Sequence, residues 1–115
     1  MNDLRQAKHF FGNVMVRLGH YGWKIRFVPG SREGYCWTKT RTIDVGEDAR
    51  DIKRLILHEI AHIGTARWCN NKHNVTFWRQ YNYLLRRFLQ KKFDYKDLLY
   101  MKDVGHIGYY KLCYG

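Results

Sequence analysis

The segment His58-Glu59-Ile60-Ala61-His62 carries the clearest chemistry in this chain of 115 residues. Two histidines four positions apart stand one turn apart on the same face of a helix. Their imidazoles can then share one Zn²⁺ at about 2.0–2.1 Å, and such an ion lowers the pKa of water to about 7. Glu59 is placed to take the proton of that water and to pass it to a leaving amine, which is the chemistry of peptide-bond hydrolysis. At this content of histidine and glutamate a chance match has odds of roughly one in a hundred, so the setting must carry part of the argument. It does: Leu55 to Ile63 is apolar in nearly every direction, and ionisable groups in such a helix are costly without a purpose.

A catalytic zinc takes a third protein ligand and keeps one position open. No Glu follows Glu59, and Thr65 and Trp68 stand where HExxHxxGxxH needs Gly and His. The candidates are therefore His73, His106, Cys69, Asp94, Asp97 and Asp103. His73 is the best placed, after a connection long enough to turn back and at the head of the next helix. Cys69 suits an open hydrolytic site less well.

The elements that must hold these residues follow from periodicity. Leu4, Ala7, Phe11, Val14, Met15 and Leu18 form one stripe of a first helix, capped by Asn2 or Asp3 and ended by Gly19 or Gly22. Residues 23–28 alternate apolar and basic, as a half-buried strand does, and 29–34 are a loop. Residues 35–38 and 42–45 read as two strands joined by a tight turn at 39–41 and closed by Gly46. A second helix starts at Asp48 or Asp51 and reaches about Ala66; residues 67–73 are a polar connection. A third helix runs from Asn74 to about Lys91, with Phe77, Trp78, Tyr81, Leu84, Leu85, Phe88 and Leu89 as its stripe. The expected fold is α+β, a small antiparallel-containing sheet packed on the HExxH helix and two further helices. Residues 92–115 read as a tail.

Length bounds the chain to one domain, and 45% hydrophobic residues are enough for a packed interior. No run is long enough to span a membrane, and the N-terminus lacks the apolar core of a signal peptide, so a soluble, cytoplasmic protein is expected. Cys36, Cys69 and Cys113 are odd in number and far apart, which points to reduced thiols rather than disulfides or a cysteine-only zinc site. The net charge of +11 favours anionic partners, DNA among them, although basic residues are spread over every segment with no block of five.

The pattern HExxH, a short loop and then His73-Asn74-Val75-Thr76-Phe77-Trp78 resembles the SprT-like metallopeptidases and their small relatives, the WLM and YgjP-type domains. The likeness covers roughly Gly34 to Leu89, and His-x-x-x-Phe is its more specific part. It implies a zincin-like fold, Zn²⁺ on His58, His62 and His73, and Glu59 as general base. It also implies that Thr42-Ile43-Asp44-Val45 is an edge strand that binds an extended protein or peptide substrate, and it brings DNA-associated proteolysis into view. The chain has no cysteine-rich zinc ribbon of the kind that longer members carry.

Two other readings compete. One is a nucleic-acid-binding module that keeps zinc for structure; the other is a non-catalytic fold that binds a protein partner. Among the remaining residues, Tyr109 or Tyr110 as oxyanion donors and Cys113 as a zinc-blocking thiol are outweighed by packing or surface roles. His9 and His20 read as solvated, and Trp23, Trp37, Trp68 and Trp78 as core or cleft wall rather than a base-stacking platform.

Overall fold

A computed structural model describes residues 2–69, 73 and 75–91, and shows an α+β fold of three helices and a mixed three-stranded sheet. Helix α1 spans Leu4–Leu18. The Asp3 side chain caps it by accepting the Gln6 N–H at 3.1 Å, and Gly19 closes it. Its stripe buries Ala7, Phe11, Val14 and Met15, as the 3-4-3 spacing requires. The Asn2 amide donates to the carbonyls of Glu47 and Ala49, tying the head of α1 to the segment before the second helix.

Strands β1 (Lys24–Val28), β2 (Gly34–Trp37) and β3 (Thr42–Gly46) are arranged β1-β3-β2. β3 runs parallel to β1 and antiparallel to β2. Ile43, Val45 and Cys36 turn into the core, while Asp44, Tyr35 and Trp37 turn outward. On that outer face Arg26 donates to both carboxylate oxygens of Asp44, at 2.7 and 3.0 Å, and Trp37 Nε1 donates to Asp44 Oδ2 at 2.8 Å. These partners, Arg26 first, hold the Asp44 carboxyl below its usual range.

Here one expectation is corrected. Thr42, Ile43, Asp44 and Val45 form the central strand, not an edge. Both of its sides are already hydrogen-bonded, so it has no free edge to offer an extended peptide. The reason is topological: the turn at 38–41 folds β3 back between β2 and the earlier β1. Among the described residues the edge strand beside the helix that carries His58 and His62 is β2.

Helix α2 (Ile52–Cys69) packs across β2 and β3. Asp51 is the cap, accepting the Arg54 N–H at 3.2 Å. The helix runs past Ala66 and takes in Trp68, which the sequence reading had placed in a loop. Helix α3 (Val75–Leu84) packs on α2, with Phe77, Trp78, Tyr81 and Leu84 at 0–2% exposure. The expected single helix to Lys91 instead widens into a π-helical turn at Leu85–Leu89, which ends at Gln90 in the left-handed region. Of the other sequence readings, His9 is exposed, but His20 is half-buried and burial lowers its pKa. Among the described residues no helix is long and apolar enough to cross a membrane.

Candidate metal centre

His58 and His62 stand one turn apart on α2, and His73 lies at the approach to α3. The fold brings their three Nε2 atoms together. His73 Nε2 lies 3.1 Å from His58 Nε2 and 3.1 Å from His62 Nε2. Hydrogen bonding alone cannot satisfy this arrangement. One N–H cannot serve two acceptors well, and one lone pair cannot serve two donors well. A cation shared by three lone pairs satisfies all of them at once. The spacing suits that role, because nitrogens about 2.0–2.1 Å from a tetrahedral ion sit about 3.3 Å apart. Among the described residues these three histidines are a group able to hold a metal ion.

Burial prepares the ligands. His58 and His62 are 4% and 5% exposed. Burial, with the neighbouring His73 adding to it, pushes the His62 pKa down to about 3, so its imidazole is neutral at pH 7, as a ligand must be. Phe77 organises all three rings. Its ring centroid lies 4.9 Å from that of His58, 4.4 Å from His62 and 4.8 Å from His73, and it stacks on His62 at an interplanar angle of 27°. This gives the His-x-x-x-Phe spacing a physical meaning: one helical turn after His73, the phenyl ring forms the floor on which the triad rests.

Glu59 is buried beside the triad, with Oε2 3.9 Å from His58 Nε2. Burial, and then the charge of Asp44, raises its pKa to about 8. A metal dication close by acts in the opposite direction, favouring the carboxylate. A carboxyl that burial moves toward neutrality suits proton transfer.

The histidines and Glu59 open onto a cleft of about 260 Å³, also lined by Leu55 and by residues 32–36. Gly34, at the start of β2, faces Glu59 so closely that a Cβ there would lie 2.7 Å from Glu59 Oε2 and 3.0 Å from the Asp44 carbonyl oxygen. Cys36 forms part of the wall. Burial, helped by the charge of Glu59, pushes its thiol up to about 12, which keeps it protonated.

Comparison with protein-family models, curated proteins and solved structures gives no significant match. The site is therefore read from its own geometry. Of the residues marked in the sequence, His58, Glu59, His62 and His73 come together. Thr42, Ile43, Asp44 and Val45 do not line the cleft; Asp44 is turned to the outer face by Arg26 and Trp37. His106, Asp94, Asp97, Asp103, Tyr109, Tyr110 and Cys113 lie outside the described residues, as does the side chain of Cys69. Sequence reasoning missed Gly34 and the cleft-lining role of Arg32, Glu33 and Tyr35. A glycine opening an otherwise aromatic strand was the available signal, since such a glycine often marks a close approach.

Proposed function

We propose that this chain is a zinc-dependent metallopeptidase with a zincin-like site, similar to the SprT-like enzymes. His58, His62 and His73 hold the ion, and Glu59 is the general base. The observation that carries this reading is the convergence of three Nε2 atoms next to a buried carboxyl that faces an open cleft.

Zinc is the cation that three converging imidazoles suit best. When bound there it supplies Lewis acidity toward a peptide carbonyl and toward water. The chain's own residues do the rest. Glu59 Oε2 takes the proton of the attacking water and returns it to the departing amine. The apolar packing of Leu55 and Phe77 keeps bulk water from the ligands. Among the described residues β2 is the edge strand beside the cleft, which makes it the natural rail for an extended substrate. A zinc kept for structure alone accounts less well for the site, since structural zinc is closed by four ligands and does not need a buried base on an open cleft.

The test combines metal analysis with hydrolysis of an unfolded protein such as casein. The expected results are about one zinc per chain and hydrolysis that stops on chelation and returns with zinc. Glu59→Gln keeps the metal and lowers turnover by about 10²–10⁴-fold. A double His58→Ala, His62→Ala variant that still held stoichiometric zinc would overturn the reading, as would a Glu59→Gln protein of undiminished activity.

A further inference from the structure

The acidic residues of this chain are unevenly placed. None falls between Glu59 and Asp94, while that interval contains seven Lys and Arg. Part of this excess is concentrated on one face of α3 and its π-helical extension. The inner face buries Phe77, Trp78, Tyr81, Leu84 and Leu85. The outer face carries Arg79, Tyr83, Arg86 and Arg87, spaced by four, three and one, which is a single helical stripe. Together with Asn82 they line an open depression of about 520 Å³.

Two arginines elsewhere in the fold are paired: Arg26 is bound to Asp44, and Arg54 lies 3.4 Å from Asp51. Among the described residues no acidic side chain lies within ion-pair distance of Arg79, Arg86 or Arg87. Arg87 is nevertheless held in place. Its Nη1 donates to Tyr83 Oη at 2.9 Å, and its guanidinium lies 5.0 Å from the centre of the Phe88 ring. Seven residues of helix separate Arg79 from Arg86, about 10.5 Å of rise. Phosphates of one strand advance about 3.4 Å each along the duplex axis, so the row is long enough to reach more than one of them.

We propose that this outer face of α3 docks the phosphate backbone of nucleic acid, without regard to base sequence. Planar guanidinium forks bind phosphate oxygens in pairs, and an arginine row with no acidic neighbour among the described residues attracts a polyanion. The wall of the depression is arginine, asparagine and tyrosine, with no aliphatic side chain of the kind that inserts into a lipid surface. The face is on the opposite side of α3 from the histidine cluster. Binding there leaves the cleft open.

The test is fluorescence anisotropy of a labelled DNA duplex of about 20 base pairs against the full zinc-loaded chain, titrated between about 50 and 200 mM salt. The expected result is binding that weakens steeply with salt. Arg79→Gln, Arg86→Gln, Arg87→Gln together weaken it at least about tenfold and reduce the log–log salt slope by about 2–3. The double variant Arg79→Gln, Arg86→Gln leaves the Arg87–Tyr83 contact in place and shows about two-thirds of that slope change. An equal charge loss on α1, Arg5→Gln, Lys8→Gln, Arg17→Gln, changes affinity by less than about twofold. Glu59→Gln binds as the unaltered protein does, which separates this proposal from the hydrolytic one. Equal losses from the α1 and α3 variants would overturn it. So would absence of binding at the lowest salt, or capture by phosphatidylserine vesicles but not by the duplex.

Discussion

Gly34 and Glu59 meet across the boundary between β2 and α2, with no room for a single added carbon between them. A Cβ on Gly34 would lie 2.7 Å from Glu59 Oε2 and 3.0 Å from Glu59 Cγ. The strand that borders the cleft therefore also fixes where the proposed base can sit. Glycine is required here by space rather than by backbone torsion.

Gly34→Ala is expected to displace the Glu59 carboxyl, because the carbonyl oxygen of Asp44 on the other side cannot yield. Overpacking of this kind destabilises by about 1–3 kcal/mol. A shift of about 1 Å in a catalytic group lowers turnover by about 10²-fold. Zinc content should not change, since the atoms nearest the new methyl group belong to Glu59 and Asp44 and not to a histidine. Parallel metal analysis, thermal melting and kinetics check this. Full activity in a folded Gly34→Ala protein would mean that Glu59 is not held from β2.

Phe77→Ala removes a fully buried ring on which three imidazoles rest. Loss of a buried Phe destabilises by about 3–5 kcal/mol. Loss of ring orientation should weaken zinc affinity by about 10–100-fold, the effect that groups supporting ligands commonly have. Phe77→Leu keeps most of the volume but not the stacking on His62. It should therefore recover most of the melting temperature and less of the zinc affinity. Competition with a chromogenic chelator reads the second quantity directly.

Most of the elements were legible because periodicity decides them. The α1 stripe follows from local rules; those rules left Asn2 or Asp3 as its cap and Asp48 or Asp51 as the start of α2, and the fold selects Asp3 and Asp51. His58 and His62 were legible for the same reason, since one turn of helix fixes their relation. The position of β3 was not. Nothing in Thr42–Val45 distinguishes a central strand from an edge strand, because pairing partners are set by how the turn at 38–41 and the loop at 29–33 route the chain. That loop is anchored by hydrogen bonds from Gly46 N to the Glu33 carbonyl and from Asp48 N to the Ser31 carbonyl, contacts no linear pattern displays. The π-helical turn at Leu85–Leu89 was equally hidden, since its side chains keep a plausible α-helical stripe.

His73 differs from its two partners in what holds it. His58 and His62 belong to the middle of a buried helix, whereas His73 is half-buried and precedes α3. His73→Ala should therefore leave the melting temperature of the metal-free chain nearly unchanged. In the unaltered protein, zinc at about a hundred times its Kd should add about 2.7 kcal/mol of stability. The variant should lose most of that gain. Melting curves with and without chelator measure both effects, and an undiminished zinc-dependent shift in His73→Ala would exclude His73 from the ligand set.

The metal-free protein should also have a distinctive pH profile, because two buried groups act in opposite directions. Glu59 is raised from 4.5 to about 8, so the folded state binds the extra proton between those values. Its contribution to stability is full below pH 4.5 and is lost as pH rises toward 8. His62 is lowered from 6.5 to about 3, so there the unfolded state binds the extra proton. Its neutral form costs nothing above pH 6.5 and becomes increasingly unfavourable as pH falls toward 3. The two slopes nearly cancel between pH 4.5 and 6.5. Above that window only Glu59 acts, and stability should fall by up to about 1.4 kcal/mol per pH unit until pH 8. Zinc should flatten this decline, since a dication beside Glu59 favours the carboxylate and removes the reason for its raised pKa. Urea unfolding of the chelated and zinc-loaded protein at half-unit steps from pH 5 to 8.5 checks the sign. A chelated protein that gains stability from pH 6.5 to 8 would contradict the burial of a protonated Glu59.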